Sequence, residues 1–373
     1  MSHGIFSVSI SKSRLFSLSK IVIPVILFIA ILVTNGLGQV TSDNPDKPKN
    51  KNAGRTVLLE EVMRIEDDGK NVIFKIPRDL SLLEDGSIYI LDFIPPSCLY
   101  KFSRDGQFLF KALRQGQGPR ECQYASNFFF MGNRIRVQAW LPPKVMDYDL
   151  DGRYISEIKT GDTHGLWFIK FIDGKIYGIR DEIPHSDAIF KEGLIESPYT
   201  LYEISEDFKK WTKIYEFPVR HYIKRAHWFR RDMVAAAAYD HYLFMVHSAE
   251  YRIVKFDLRR GQIERTFKRK FKREDDHQKS RPEKEEFEDP EARGLKLPPF
   301  EFNFDIFEIH VFKDTLWVVT FTTKDNGAKR LVDVFDMEGK YIDSFYLQFP
   351  WNGQKHFYAH SLVSDNGFML MQT

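Results

Sequence analysis

The chain has little cysteine: two residues in 373, Cys98 and Cys122, and no Cys-x-x-Cys pair. That removes the commonest thiolate zinc and dithiol redox motifs. It has no nucleophile elbow and no zincin helix motif, so the familiar hydrolase and metalloprotease signatures are missing as well. It has almost no net charge, +2 from 54 basic and 52 acidic residues. No global attraction to nucleic acid follows from such a balance, and any basic patch has to be judged locally. From Thr56 onward there is no long amphipathic helical pattern. The stretch Arg114 to Gln123, RQGQGPRECQ, has two glycines but lacks the third glycine of a dinucleotide fingerprint. Glu121 stands in its place, Pro119 removes an amide, and no helix pattern follows, so the stretch reads against a phosphate cradle.

What is present begins with an address. Lys12, Arg14 and Lys20 precede the apolar run Ile21 to Val33, and Gly36 and Gly38 precede a candidate cleavage point at Gln39. Basic, then apolar, then small is the layout of a secretory signal. Thirteen apolar residues are short for a membrane span. Residues 1–38 are read as a signal peptide, with an uncut N-terminal anchor as the alternative. Either way the body lies outside the cytoplasm: periplasmic, secreted or membrane-anchored. Residues 39–55 are polar, without apolar periodicity, and read as a flexible linker.

Hydrophobic residues make up 43% of the chain and aromatics 15%, with 33 phenylalanines. That is ample core material with a leaning towards strands. Short alternating apolar runs are separated by Asp-Gly or similar pairs, which suit tight hairpin turns. Asp79 to Leu113 divides into four strands with turns at Asp85-Gly86 and Asp105-Gly106 and a Pro95-Pro96 loop between them. Asn127 to Lys159 repeats the order, with turns at Gly132-Asn133 and Asp151-Gly152 and a Pro142-Pro143 loop. Three further units follow with drift. One hairpin remains at each end, Thr56 to Ile76 and His360 to Thr373. Five full units and two halves predict an all-β fold, a six-bladed β-propeller of four-stranded antiparallel blades over residues 56–373. Its ring is closed by N-terminal and C-terminal hairpins sharing the last blade. A charged insertion at about 272–300, overlapping the charged run Lys268 to Gly294, interrupts it and is too polar to bury.

The unit hydrophobic-x-DG-x-IYI-D followed by LYKF-x-x-DG-x-FL resembles the six-bladed propellers grouped with NHL-repeat proteins. The stretch GQGPRE resembles a G-x-G-P-G-E loop of secreted bacterial six-bladed propellers: Gly116, Gly118, Pro119 and Glu121 match, and Arg120 replaces the usual third glycine. The resemblance implies the fold and says little about chemistry, because one fold hosts many functions.

In such blades the loop between strands two and three and the crossing to the next blade share one face. That face collects the long segments, and the opposite face has the short turns. Function is expected on the elaborated face. Its sharpest cluster is Pro218 to Asp232, with Arg220, His221, Lys224, Arg225, His227, Trp228, Arg230 and Arg231, suited to holding an acid by arginine contacts and aromatic stacking. Arg114, Arg120 and Glu121 belong to the glycine loop, where the structural reading is a shaped turn with Glu121 accepting backbone amides. Trp140 and His164 complete the ligand-binding candidates. The histidine spacing shows no converging metal ligand set, and no catalytic residue is assigned. Cys98 and Cys122 fall on the same face, either disulfide-bonded or two buried thiols. The expectation is an exported, monomeric, non-enzymatic module for a small molecule, glycan or protein. It makes no nucleic-acid contact, its cofactor is undetermined, and it meets a membrane only through an uncut N-terminal segment. The alternative is a propeller hydrolase or lyase with a metal at the central channel.

Overall fold

The computed structural model describes residues 40–161, 163–182, 192–224, 227–273, 304–348, 358–364 and 367–372. The apolar run Ile21 to Val33 and most of the charged insertion lie outside them. Thr41–Thr373 forms one compact unit.

The unit is built from antiparallel four-stranded sheets, the blades of a β-propeller. The first comprises Pro77–Leu82, Ile88–Asp92, Cys98–Phe102 and Phe108–Ala112, and the second Tyr124–Met131, Arg134–Leu141, Pro143–Asp149 and Tyr154–Lys159. The third runs Leu166–Ile172, Lys175–Asp181, Gly193–Ile204 and Trp211–Lys224, and gains a fifth strand, His227–Arg230, at its outer edge. The fourth is Ala235–Tyr239, Tyr242–Val246, Ile253–Asp257 and Gln262–Arg269, and the fifth Ile306–Phe312, Thr315–Lys324, Lys329–Asp336 and Tyr341–Gln348. The C-terminal hairpin, Tyr358–Ser364 with Gly367–Gln372, touches the inner strands of both the fifth and the first blade, so it stands in the sixth position of the ring.

Strand periodicity explains the packing. Every residue of Ile88–Asp92 is buried. Tyr89 and Leu91 pack towards the second blade with Phe128, Val137 and Met146, while Ile88 and Ile90 join Tyr100, Phe102 and Val72 on the other face. A strand covered on both faces reads as a continuous apolar run, and each such side chain contributes about 1.5–3 kcal/mol. The fourth and fifth blades are also locked by charge. Asp333, fully buried, accepts from Arg269 Nε (2.7 Å), Tyr251 Oη (2.8 Å) and Tyr341 Oη (2.7 Å).

Two expectations for the N-terminal region change. The segment 39–55, read as a flexible linker, contains the strand Val40–Asn44, which pairs with the outer strand of the fourth blade. Asn44 bridges the fourth and fifth blades, donating to Lys268 O (3.1 Å) of the fourth and Gly339 O (2.9 Å) of the fifth and accepting from Tyr341 N (3.0 Å). Arg55–Leu58 then pairs in parallel with Tyr341–Gln348, and Arg55 holds Asp343 with two 2.9 Å bonds. Composition alone missed this because a strand at a sheet edge needs backbone groups, not apolar side chains. The Thr56 to Ile76 hairpin is realised in part. It turns at Asp68-Gly69, where Asp68 Oδ1 accepts from the amides of Lys70, Asn71 and Val72 at 2.7–2.8 Å. Met63, Ile65, Val72 and Phe74 pack on the first blade. No strand is assigned between residues 59 and 76.

Candidate functional site

Hydrogen bonds tie the segments of the elaborated face together. Ser97 Oγ lies 2.6 Å from Phe93 O and 3.0 Å from Gln123 O, and accepts from Ala125 N at 3.1 Å. Gln123 N donates to Leu141 O (2.8 Å), and Thr160 N to Pro143 O (3.1 Å). Loops and crossings from the first two blades are thereby one surface.

The glycine loop is a shaped turn. Leu113, Gly116 and Arg120 have φ of 80°, 149° and 62°, and Arg114–Gln115 bridges Glu121–Cys122 in parallel. Glu121 Oε2 accepts from Gly118 N at 3.0 Å. It also fills the space over Gly116, where a Cβ would come within 2.0 Å of it. The buried Lys144 reaches Gly118 O (2.9 Å) and Glu157 Oε2 (3.0 Å). Arg120 donates its amide to Glu157 (2.8 Å) and sets its guanidinium over Tyr154 at 4.7 Å. Arg114 is exposed. These three residues serve the loop and the outer strand of the second blade, and none of them lines the cleft described next.

Trp140 and His164 do come together. Register shifts around Gln138, Ala139 and Leu141 turn the end of the second strand, the effect a bulge has beside a site. Trp140 then lines a cleft of about 310 Å³ with Pro143, Thr160, Gly161, Thr163 and His164. The Trp140 and His164 rings lie 5.3 Å apart. Below, Asn127 Nδ2 bonds Gln138 Oε1 (3.1 Å) and Leu166 O (3.0 Å), and Gln138 Nε2 bonds Thr163 O (3.2 Å), which fixes the crossing under the cleft. Trp140 Nε1 and the hydroxyls of Thr160 and Thr163 are buried without a hydrogen-bond partner among the described residues. Each such group costs about 1–3 kcal/mol unless water or a ligand pairs it.

The aromatic surface extends past Trp140. Phe93 meets Trp140 edge-on at 5.2 Å and Tyr124 at 5.7 Å. The Arg78 guanidinium lies 4.6 Å from the Phe93 ring and 5.6 Å from the Trp140 ring. Sequence reasoning missed Arg78, Phe93, Tyr124, Thr160 and Thr163. Phe93, Tyr124, Thr160 and Thr163 fall in loops and crossings expected on the elaborated face, but Arg78 lies on an inner strand, and nothing in PRDLSL marks it as part of a site.

The Pro218 to Asp232 cluster corrects the expectation of a basic loop. The outer strand continues to Lys224, because Val219, His221 and Ile223 alternate inward and are buried, and the chain returns as His227–Arg230. Arg220 is committed to Asp232, Nη2 to Oδ1 at 2.6 Å and Nε to Oδ2 at 3.0 Å. His221 stacks on Tyr199 at 6.0 Å, and Arg231 lies over Tyr222 at 5.4 Å. Arg225 and the side chains of His227 and Trp228 lie outside the described residues. Among the described residues no three His, Cys, Asp or Glu side chains converge on a metal position. Cys98 and Cys122 are free thiols. Burial raises both, Cys122 to about 12, so neither is a ready nucleophile.

Solved structures similar to the chain include a protein of Bacteroides fragilis NCTC 9343 described as exported. It is 14% identical, over 83% of this chain and 80% of that one, with a TM-score of 0.46. A duf4221 family member from Bacteroides vulgatus atcc 8482 is 11% identical over 83% and 91% of the two chains, with a TM-score of 0.47. A streptogramin B lyase is 12% identical over 79% and 75%, with a TM-score of 0.40. No protein of curated function matches the sequence. A family model matches residues 69–281, which run from the Asp68-Gly69 turn through the first four blades. The chain belongs to that family, DUF5128, a 6-bladed beta-propeller.

Proposed function

We propose that this chain is an exported β-propeller that works as a monomeric, non-enzymatic binding module through the Trp140–His164 cleft. One observation carries the reading: residues from the second blade and the crossing that follows it meet over a cleft, and three buried polar atoms of its lining residues, Trp140 Nε1, Thr160 Oγ1 and Thr163 Oγ1, have no hydrogen-bond partner among the described residues. A pocket with an aromatic wall and a few convergent polar groups suits a small molecule or a glycan residue. Export is supported by Lys12, Arg14 and Lys20 before Ile21 to Val33, and by Gly36 and Gly38 after it. Kinship with the NHL-repeat group is part of the proposal and rests on the Asp-Gly hairpin pattern.

The test is a thermal-shift panel of metabolites and oligosaccharides on residues 39–373 and on Trp140→Ala. At least one compound should raise the melting temperature of the parent and fail to raise that of the variant. Hits that stabilise both proteins equally would place the binding elsewhere and end this assignment.

A further inference from the structure

Arg78 is unusual among the arginines that the fold shelters. Arg136 holds Asp147 at 2.7 and 2.8 Å, Arg269 holds Asp333 at 2.7 Å, and Arg273 holds Asp305 at 2.9 Å. Arg78 is half-buried, and no ion pair or hydrogen bond is made by its side chain among the described residues. The neighbouring Asp79 carboxylate is directed to the amides of Leu80 (2.9 Å) and Phe128 (3.2 Å). Phe93 and Trp140 attract the Arg78 charge, but rings take none of its five N–H donors as conventional hydrogen bonds. Burial disfavours the charged guanidinium, with Asp79 opposing that effect. Among the described residues that line the cleft there is no carboxylate; Asp162, between Gly161 and Thr163, lies outside the described residues.

We propose that the cleft takes a ring compound bearing a carboxylate, of the chemical class of a hexuronic acid residue, with its ring against Trp140 and its carboxylate paired with Arg78. The proposal rests on the binding-module reading and adds the ligand class. An arginine fork matches a carboxylate in two parallel bonds. A sugar ring offers C–H groups to an aromatic face and hydroxyls to the unpartnered Thr160 and Thr163 oxygens.

The experiment is an array of uronic-acid oligosaccharides of several linkages, each beside its neutral counterpart. It is read with the parent chain, Arg78→Met, Arg78→Lys and Trp140→Ala, all checked for unchanged melting. The parent should retain acidic members and bind their neutral counterparts about 10- to 100-fold more weakly, the range a charge-assisted pair spans. Arg78→Met should lose that difference, Arg78→Lys should keep part of it, and Trp140→Ala should lose both classes. Neutral glycans bound as tightly as acidic ones, or full acid binding by Arg78→Met, would overturn the ligand class and leave the binding module intact. No glycan bound, with hits in the thermal-shift panel that Trp140→Ala abolishes, would overturn the ligand class alone. Silence in both experiments would overturn the ligand class and the module together.

Discussion

His247 is 8% exposed and stacks on Phe217 at 4.7 Å between the third and fourth blades. Burial, then the nearby Arg252 charge, hold its pKa down to about 4 from 6.5. In the unfolded chain the imidazole protonates near 6.5, while in the folded chain it stays neutral until about 4. Its contribution to stability is therefore complete above pH 6.5 and is lost as the pH falls from 6.5 towards 4. Between pH 7.5 and 5.0 that loss comes to about 2 kcal/mol. Urea midpoints at the two pH values should fall further for the parent than for His247→Phe, which keeps the stack without the titration. Equal slopes would show that the imidazole is solvated. The sequence offered His247 as one of several scattered histidines on a loop face. Only packing against Phe217 made it a core residue, and no local pattern could have distinguished it from the exposed His164.

The glycine loop illustrates how far an element can be read from its letters. Glu121 as an acceptor of loop amides was legible, because a carboxylate three residues after a glycine within a tight turn has few other partners. The orientation of the loop was not legible: Arg120 turns to Tyr154 and Glu157 because φ of 62° points it towards the second blade. Gly116→Ala meets two obstacles, a left-handed backbone and a Cβ 2.0 Å from Glu121 Oε2. It should cost about 1–3 kcal/mol. Gly118→Ala faces the same oxygen at 3.1 Å with an ordinary φ and should cost less. Thermal melts of the two variants test this, and equal melting would show that Glu121 moves aside freely. The Pro218 to Asp232 element misled for a related reason. Its arginines and histidines read as a solvent-facing cluster, yet period-two burial of Val219, His221 and Ile223 extends a strand through it.

For the whole molecule the decisive contacts join distant parts of the chain. Val40–Asn44 and Arg55–Leu58 cover the outer edges of the fourth and fifth blades. A protein that starts at residue 59 would present Gln262–Arg269 and Tyr341–Gln348 as open strand edges. It should associate in light scattering at concentrations where residues 39–373 stay monomeric, since uncovered edges template pairing. A monodisperse truncated protein would show that the two edge strands are dispensable.

The repeated Asp-Gly hairpins, the paired proline loops and the alternation of each strand are local features. The blade architecture follows from them because turn chemistry and side-chain period act over a few residues. The binding candidates divide differently. Trp140 and His164 were readable as loop residues of one face, but their meeting depends on a bulge and on a crossing held by Gln138 and Asn127. Arg78 reaches the Trp140 ring from the inner strand of the first blade, and Asn44 joins the fourth blade, 224 residues further along the chain, to the fifth, nearly three hundred residues along it. Such juxtapositions are created by the packing of one blade on the next and by the N-terminal strands lying along distant blades, which bring together segments whose separation in sequence does not set their distance in space.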